Sequence, residues 1–330
     1  MGKLMVNVFV VMCLFLTLSN VAVAKLTPEQ DAARAKGLFY YNMEDDFNAR
    51  PFLEISAEAG DSESQYYLAE IIRSRDKYVG PEAQRLYEGA ADQGDIYAML
   101  RLIITSDDLC HLMENCTPSK KTPKEWRDAA RLLAEERASE GDGEAMYQLY
   151  MLTGNFDWII KSAEAGFAES QEWLGSLYKE GVGRFFIPGK RQWEVERWLR
   201  ASALAGYPPG MVKYSELLEK RGDLKGVGYW IEKAAEAGHF GAMSGLAAWT
   251  AHMPDKVGYP LDLVKAYGLT LLMAEANPGN AWLGPSYGET ELIEVAAKMT
   301  PEQIEEGKAY AKEWAKSHPA LSRFPPKYGY

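Results

Sequence analysis

Three cysteines and four histidines are the residues of this 330-residue chain best able to do chemistry. Cys13 lies inside an apolar run near the start, whereas Cys110 and Cys116 bracket the segment His111-Leu112-Met113-Glu114-Asn115. In an oxidising compartment such a pair reads as a local disulfide. A metal site is the alternative, but His111 alone cannot complete one, because structural zinc takes four ligands. Asn115-Cys116-Thr117 also fits the glycosylation sequon, which matters only in a eukaryotic secretory pathway.

The remaining histidines give no catalytic constellation. His239 follows a glycine that ends a helical run, and His318 precedes Pro319, so both read as surface or capping residues. Gly241-Ala242-Met243-Ser244-Gly245 misses the nucleophile elbow by one position. No phosphate loop, dinucleotide fingerprint or His-Glu-x-x-His motif occurs. Glu135-Glu136 and Glu305-Glu306 are adjacent on helices and point apart, as solvated faces do. No enzyme activity, cofactor or metal is expected.

Two segments stand out for binding instead. Phe185, Phe186 and Ile187 sit in a glycine-bounded loop, Gly181 to Gly189, where they cover an exposed core edge or form a docking patch for a partner. The aromatic, proline-rich end, Phe324 to Tyr330, either caps the last helix or is a flexible recognition tail. The formal charge of −11 disfavours nucleic acid and anionic lipid as partners, and suits a basic protein surface.

Positioning these residues falls to a repeat. Gly60, Gly94, Gly141, Gly166, Gly206 and Gly238 share one setting. Three positions before them stand Ala57, Ala91, Ala138, Ala163, Ala203 and Ala235; four after stand Ser64, Ala98, Ala145, Ser170, Gly210 and Ala242. Eight before come Phe52, Leu86, Leu133, Trp158, Trp198 and Trp230, and eight after come Leu68, Leu102, Leu149, Leu174, Tyr214 and Leu246. Glycine after an alanine-rich run predicts a left-handed residue closing a helix. Asp61, Asp95 and Asp142 then start the next helix. A helix pair joined by this turn is antiparallel, and stacked pairs bury their apolar stripes as a solenoid. The aligned tryptophans read as packing between helices, not as a ligand ladder. A worn seventh copy has Leu269, Ala274, Asn277 and Ala281, with asparagine in the glycine place. The cysteine segment and the 181–189 loop fall in insertions, and Thr153-Gly154-Asn155 makes a tight turn.

The first 24 residues read as a leader. Lys3 begins it, an apolar run spans Leu4 to Leu18, and Ala22-Val23-Ala24 matches a signal-peptidase site. Retention as an anchor needs about 20 apolar residues and different flanks. A lipid anchor would want a small residue where Met12 precedes Cys13. The expected organisation is therefore a signal peptide over 1–24, a solenoid with closing helix over 25–315, and a tail over 316–330.

Trp158 through Ala163 to Gly166, followed by Ser170, Leu174 and Tyr178-Lys179-Glu180-Gly181, resembles the Sel-1-like repeat, a branch of the tetratricopeptide superfamily. Asp262 to Tyr267 resembles the start of that family's second helix, and Met299-Thr300-Pro301-Glu302-Gln303-Ile304 its closing helix. The resemblance covers roughly Phe52 to Trp314. It implies an all-α, right-handed superhelical solenoid of antiparallel helix pairs that binds another protein. Among exported bacterial members it implies an immunity protein that clamps a type VI secretion effector, such as a phospholipase, in the periplasm. The alternative is a periplasmic scaffold or adaptor for envelope complexes.

Overall fold

The computed structural model describes residues 25–104, 109–279 and 284–328. The leader expected over 1–24, Ala281 of the worn repeat, and Gly329-Tyr330 lie outside the described residues, as does the His111 side chain. Among the described residues the chain is helical and contains no strand; an isolated bridge joins His239 and Ser322.

The first helices are α1 (Pro28–Asn42), α2 (Asp46–Glu58), α3 (Ser62–Asp76), α4 (Pro81–Asp92) and α5 (Ile96–Ile103). The short α6 (Leu109–Leu112) belongs to the cysteine insertion. Then come α7 (Pro123–Ser139), α8 (Gly143–Thr153), α9 (Phe156–Glu164), α10 (Ala168–Lys179), α11 (Lys190–Leu204) and α12 (Pro208–Glu219). The last are α13 (Leu224–Glu236), α14 (Phe240–Thr250), α15 (Leu263–Ala276), α16 (Tyr287–Ala296) and α17 (Pro301–Ser317).

Each of the six glycines is left-handed, with φ between 86° and 93°. The hydrogen bonds around them repeat. Gly60 N–H donates to Ala57 and Asp61 N–H to Ser56; Gly166 donates to Ala163 and Phe167 to Ser162. This double closure satisfies two otherwise orphaned carbonyls. At four of the six turns the side chain of the residue after glycine caps the next helix, whereas Phe167 and Tyr207 make no such bond. The Asp61, Asp95 and Asp142 carboxylates accept from the amides of Ser64, Ala98 and Ala145, and His239 Nδ1 accepts from Ala242 at 3.1 Å.

Beside these turns the backbones approach closely. The Ser56 and Ser64 hydroxyls meet at 2.7 Å, and so do those of Ser162 and Ser170. At the third such place a Cβ on Gly210 would run into Ser202 Oγ, so glycine is required by space. The leucine column eight after glycine is buried throughout, as is Tyr214, and each leucine so placed contributes about 2 kcal/mol of apolar burial. Trp198 is buried, and Trp158 and Trp230 pack half-buried against the same core.

Two features depart from the repeat pattern. Asn277 adopts φ −141°, not the left-handed value, and the helix that follows α15 begins only at Tyr287. The worn seventh turn is therefore not made like the other six. Ahead of the first repeat lies α1, which packs along α2. Its Thr27-Pro28-Glu29-Gln30 start forms the same capping box as Thr300-Pro301-Glu302-Gln303 at the start of α17.

Candidate functional site

Helices α3, α5, α8, α10, α12 and α14 each follow a glycine turn and present their first turns to one surface. Three positions after the glycines stand Glu63, Tyr97, Glu144 and Glu169; six after stand Tyr66, Tyr147 and Glu172. These positions lie on one helix face, angularly apart from the buried columns four and eight after glycine.

The C-terminal segment runs along this surface. It neither caps the last helix nor hangs free, the two arrangements anticipated from its composition. Beyond α17, Leu321 is buried. Ser322 N–H donates to the Gly238 carbonyl at 2.8 Å, and the Ser322 carbonyl accepts from Phe240 N–H at 2.9 Å. Arg323 N–H then donates to the Asn42 carbonyl at 2.7 Å, and Arg323 Nε to the Met43 carbonyl at 3.2 Å. Two adjacent residues, Ser322 and Arg323, thus tie the start of α14 to the end of α1, so helices far apart in the chain share a strap. Phe324 stacks on His239 and meets Tyr207 edge-on.

Further along, the Tyr66 hydroxyl donates to the Lys327 carbonyl at 2.6 Å. Lys327 Nζ lies 4.6 Å from the centre of the Tyr97 ring, and the Tyr328 ring lies 3.9 Å from the Arg101 guanidinium. Arg101 is itself fixed from below. Its Nε and Nη2 donate to the two oxygens of Glu70 at 2.6 and 2.8 Å, and the Tyr87 hydroxyl donates to Glu70 at 2.6 Å. Both charged side chains are buried, which such bidentate pairing permits.

The electrostatics of this groove are one-sided. Burial pushes the Glu169 carboxyl up to about 7; the charges of Glu144 and Glu172 act in the same direction and Lys327 against it. Burial likewise raises Glu63 and Asp95, with Lys327 opposing in both cases. Arg34 also answers Glu63, at 3.5 Å, and Lys213 lies within electrostatic reach of Glu172. Tyr97 is held above the ordinary phenol range by burial and by the carboxylates of Glu144 and Glu169. Chemically this is a binding surface for cations and rings. Among the described residues no group of three His, Cys, Asp or Glu is placed to hold a metal.

The cysteine pair and the aromatic loop singled out from sequence lie elsewhere. Cys110 and Cys116 are joined in a disulfide, and beside them Leu112 is 83% exposed. The aromatic loop divides its labour. Phe185 turns inward, edge-on to Tyr178, under an Arg191 that donates to the carbonyls of Tyr178, Val182 and Gly183. Phe186 and Ile187 stay outside, 89% and 69% exposed. Of the two readings of that loop, Phe185 follows the covering one and its neighbours leave a patch free. His318 stacks on Trp314 with ring centres 3.8 Å apart. Lys120 and Lys121 both pair with Asp92.

No protein-family model matches the chain, and no curated protein does. Solved structures of similar fold include two Sel1-repeat proteins. One is c5321, a protective antigen of uropathogenic Escherichia coli strains displaying an SLR fold; it is 21% identical, with a TM-score of 0.45 over 88% of this chain. The chain spans 62% of the length of that protein. The other is a Sel1 repeat protein from Oxalobacter formigenes, 19% identical, with a TM-score of 0.38 over 74% of this chain and 99% of that one. The fold itself rests on the helix pairs and their six equivalent turns: an all-α repeat solenoid whose structural neighbours are Sel1-repeat proteins.

Proposed function

We propose that this chain is a Sel-1-like, protein-binding solenoid that works in the bacterial periplasm, and specifically an immunity protein that holds and neutralises a type VI secretion effector such as a phospholipase. The observation that carries the binding role is the groove itself: an acidic, tyrosine-lined surface with a non-helical polypeptide segment seated in it. Aromatic and cation-binding surfaces of this kind recognise protein chains, and repeat solenoids present them over long distances. Export is supported by the leader pattern in residues 1–24 and by the Cys110–Cys116 disulfide, a bond that persists in oxidising compartments. No helix among the described residues is long and apolar enough to cross a membrane. Exposed Phe186 and Ile187 supply a second, apolar contact for the same partner.

A competition experiment tests the immunity role. Cells lacking the gene are expected to die beside sister cells that deliver their effectors, and to survive when the full chain is restored. A chain restricted to residues 25–330 is expected to give no protection, since it stays on the wrong side of the membrane. Full survival of the deletion strain against every sister-cell effector would refute the immunity role. The scaffold reading would then be favoured if capture from envelope extracts returned membrane machinery.

A further inference from the structure

The C-terminal segment meets the groove as a ligand would. From Ser322 to Tyr328 it is non-helical, and it turns at Phe324, whose backbone is left-handed at φ 55°. Most of its hydrogen bonds to the helices run through its backbone, Ser322 with Gly238 and Phe240, Arg323 with Asn42, and the Lys327 carbonyl with Tyr66, and Arg323 Nε adds one to Met43. Its side chains enter prepared places. Arg323 lies 4.5 Å from the centre of the Phe240 ring, Lys327 lies against Tyr97, and Tyr328 lies on Arg101. Backbone bonds that hold a segment and pockets that take its side chains are how a peptide is recognised. The match is also electrostatic, because Lys327 is the cation that Glu63, Asp95 and Glu169 each feel. Glu144 and Glu172 continue the acidic surface next to Glu169.

We propose that residues 322–328 are an internal occupant of a peptide-binding groove, and that the partner displaces them with a segment of its own carrying a cation beside an aromatic ring. This rests on the protein-binding reading and adds the identity of the contact and a competitor built into the chain. The covalently attached segment sits at a high effective concentration, so it weakens every partner whose segment needs the same place. Displacement frees the Arg101 face and the Tyr97 ring together, which makes the groove selective for segments offering both a ring and a cation.

The test uses the full chain and a labelled synthetic peptide of residues 319–328. The native chain is expected to bind this peptide weakly, because its own copy competes. The double variant Lys327→Glu with Tyr328→Ala loosens that copy, and it is expected to bind the peptide at least tenfold more tightly, judged by fluorescence anisotropy on protein of native circular dichroism. A peptide with glutamate in place of lysine should lose that binding. Equal affinity for native and variant chains, or no binding to a folded variant, overturns the proposal. Should the variant fail to fold, hydrogen exchange on the native chain decides. Excess peptide is expected to speed exchange of the Ser322 and Arg323 amides, and unchanged protection overturns the proposal. If instead a captured partner binds native and variant chains equally, the internal competitor is excluded while the binding role stands.

Discussion

Neutralising Glu169 should stabilise the free protein above neutral pH. Its carboxyl is held near 7 in the fold but would ionise around 4.5 in an unfolded chain. Between those values the folded state holds the extra proton, so this group's contribution to stability falls as pH rises. Glu169→Gln removes that slope. The variant is expected to gain up to about 3 kcal/mol over the parent above pH 7 and little near pH 4, measured by urea unfolding across the range. Coincident stability profiles would contradict the assignment. At this scale the sequence disclosed local chemistry well. Two cysteines a few residues apart and a histidine after a helix-ending glycine are settled by their neighbours. Lys327 was not legible, because its partner Tyr66 lies 261 positions away in the chain.

At the level of helices and turns, the glycine column separates two kinds of constraint. At Gly166 a Cβ would meet nothing within 4 Å, so only the left-handed backbone demands glycine, at φ 92°. Gly166→Ala should therefore cost about 1–2 kcal/mol, the penalty for that conformation alone. Gly210 sits inside α12 with ordinary backbone, and its Cβ would collide with Ser202. Gly210→Ala should cost a further kind of energy, about 1–3 kcal/mol of overpacking, which Ser202→Gly relieves. Thermal unfolding of the two single variants and the Gly210→Ala, Ser202→Gly pair checks this. Rescue of Gly166→Ala by Ser202→Gly, or none at Gly210, would contradict it. The period was readable because each turn reuses one arrangement of alanine, glycine and cap. The column of Ser56, Ser162 and Ser202, one place ahead of the alanines, was the signal missed; these residues make the close contact across the turn. Asn277 misled because asparagine tolerates the left-handed region without requiring it. The first helix escaped notice because it lies before the first glycine, although its Thr-Pro-Glu-Gln start is repeated at 300–303.

On the scale of the molecule, the curl of the solenoid decides what the groove is. Stacked helix pairs follow from the columns; that α1 and α14 come close enough to be joined through Ser322 and Arg323 does not. Curvature accumulates from small rotations between units, and no single residue encodes it. The groove's acidic and tyrosine columns stood in the sequence at fixed offsets from the glycines, but without the curl nothing marked them as facing a common occupant. Hydrogen exchange of the native chain alone and bound to its captured partner tests the account most directly. The account predicts new protection over the first turns of α3, α5, α8 and α10, together with loss of protection at Ser322 and Arg323. Protection confined to the outer helices or to residues 183–189, with Ser322 and Arg323 unchanged, would contradict it.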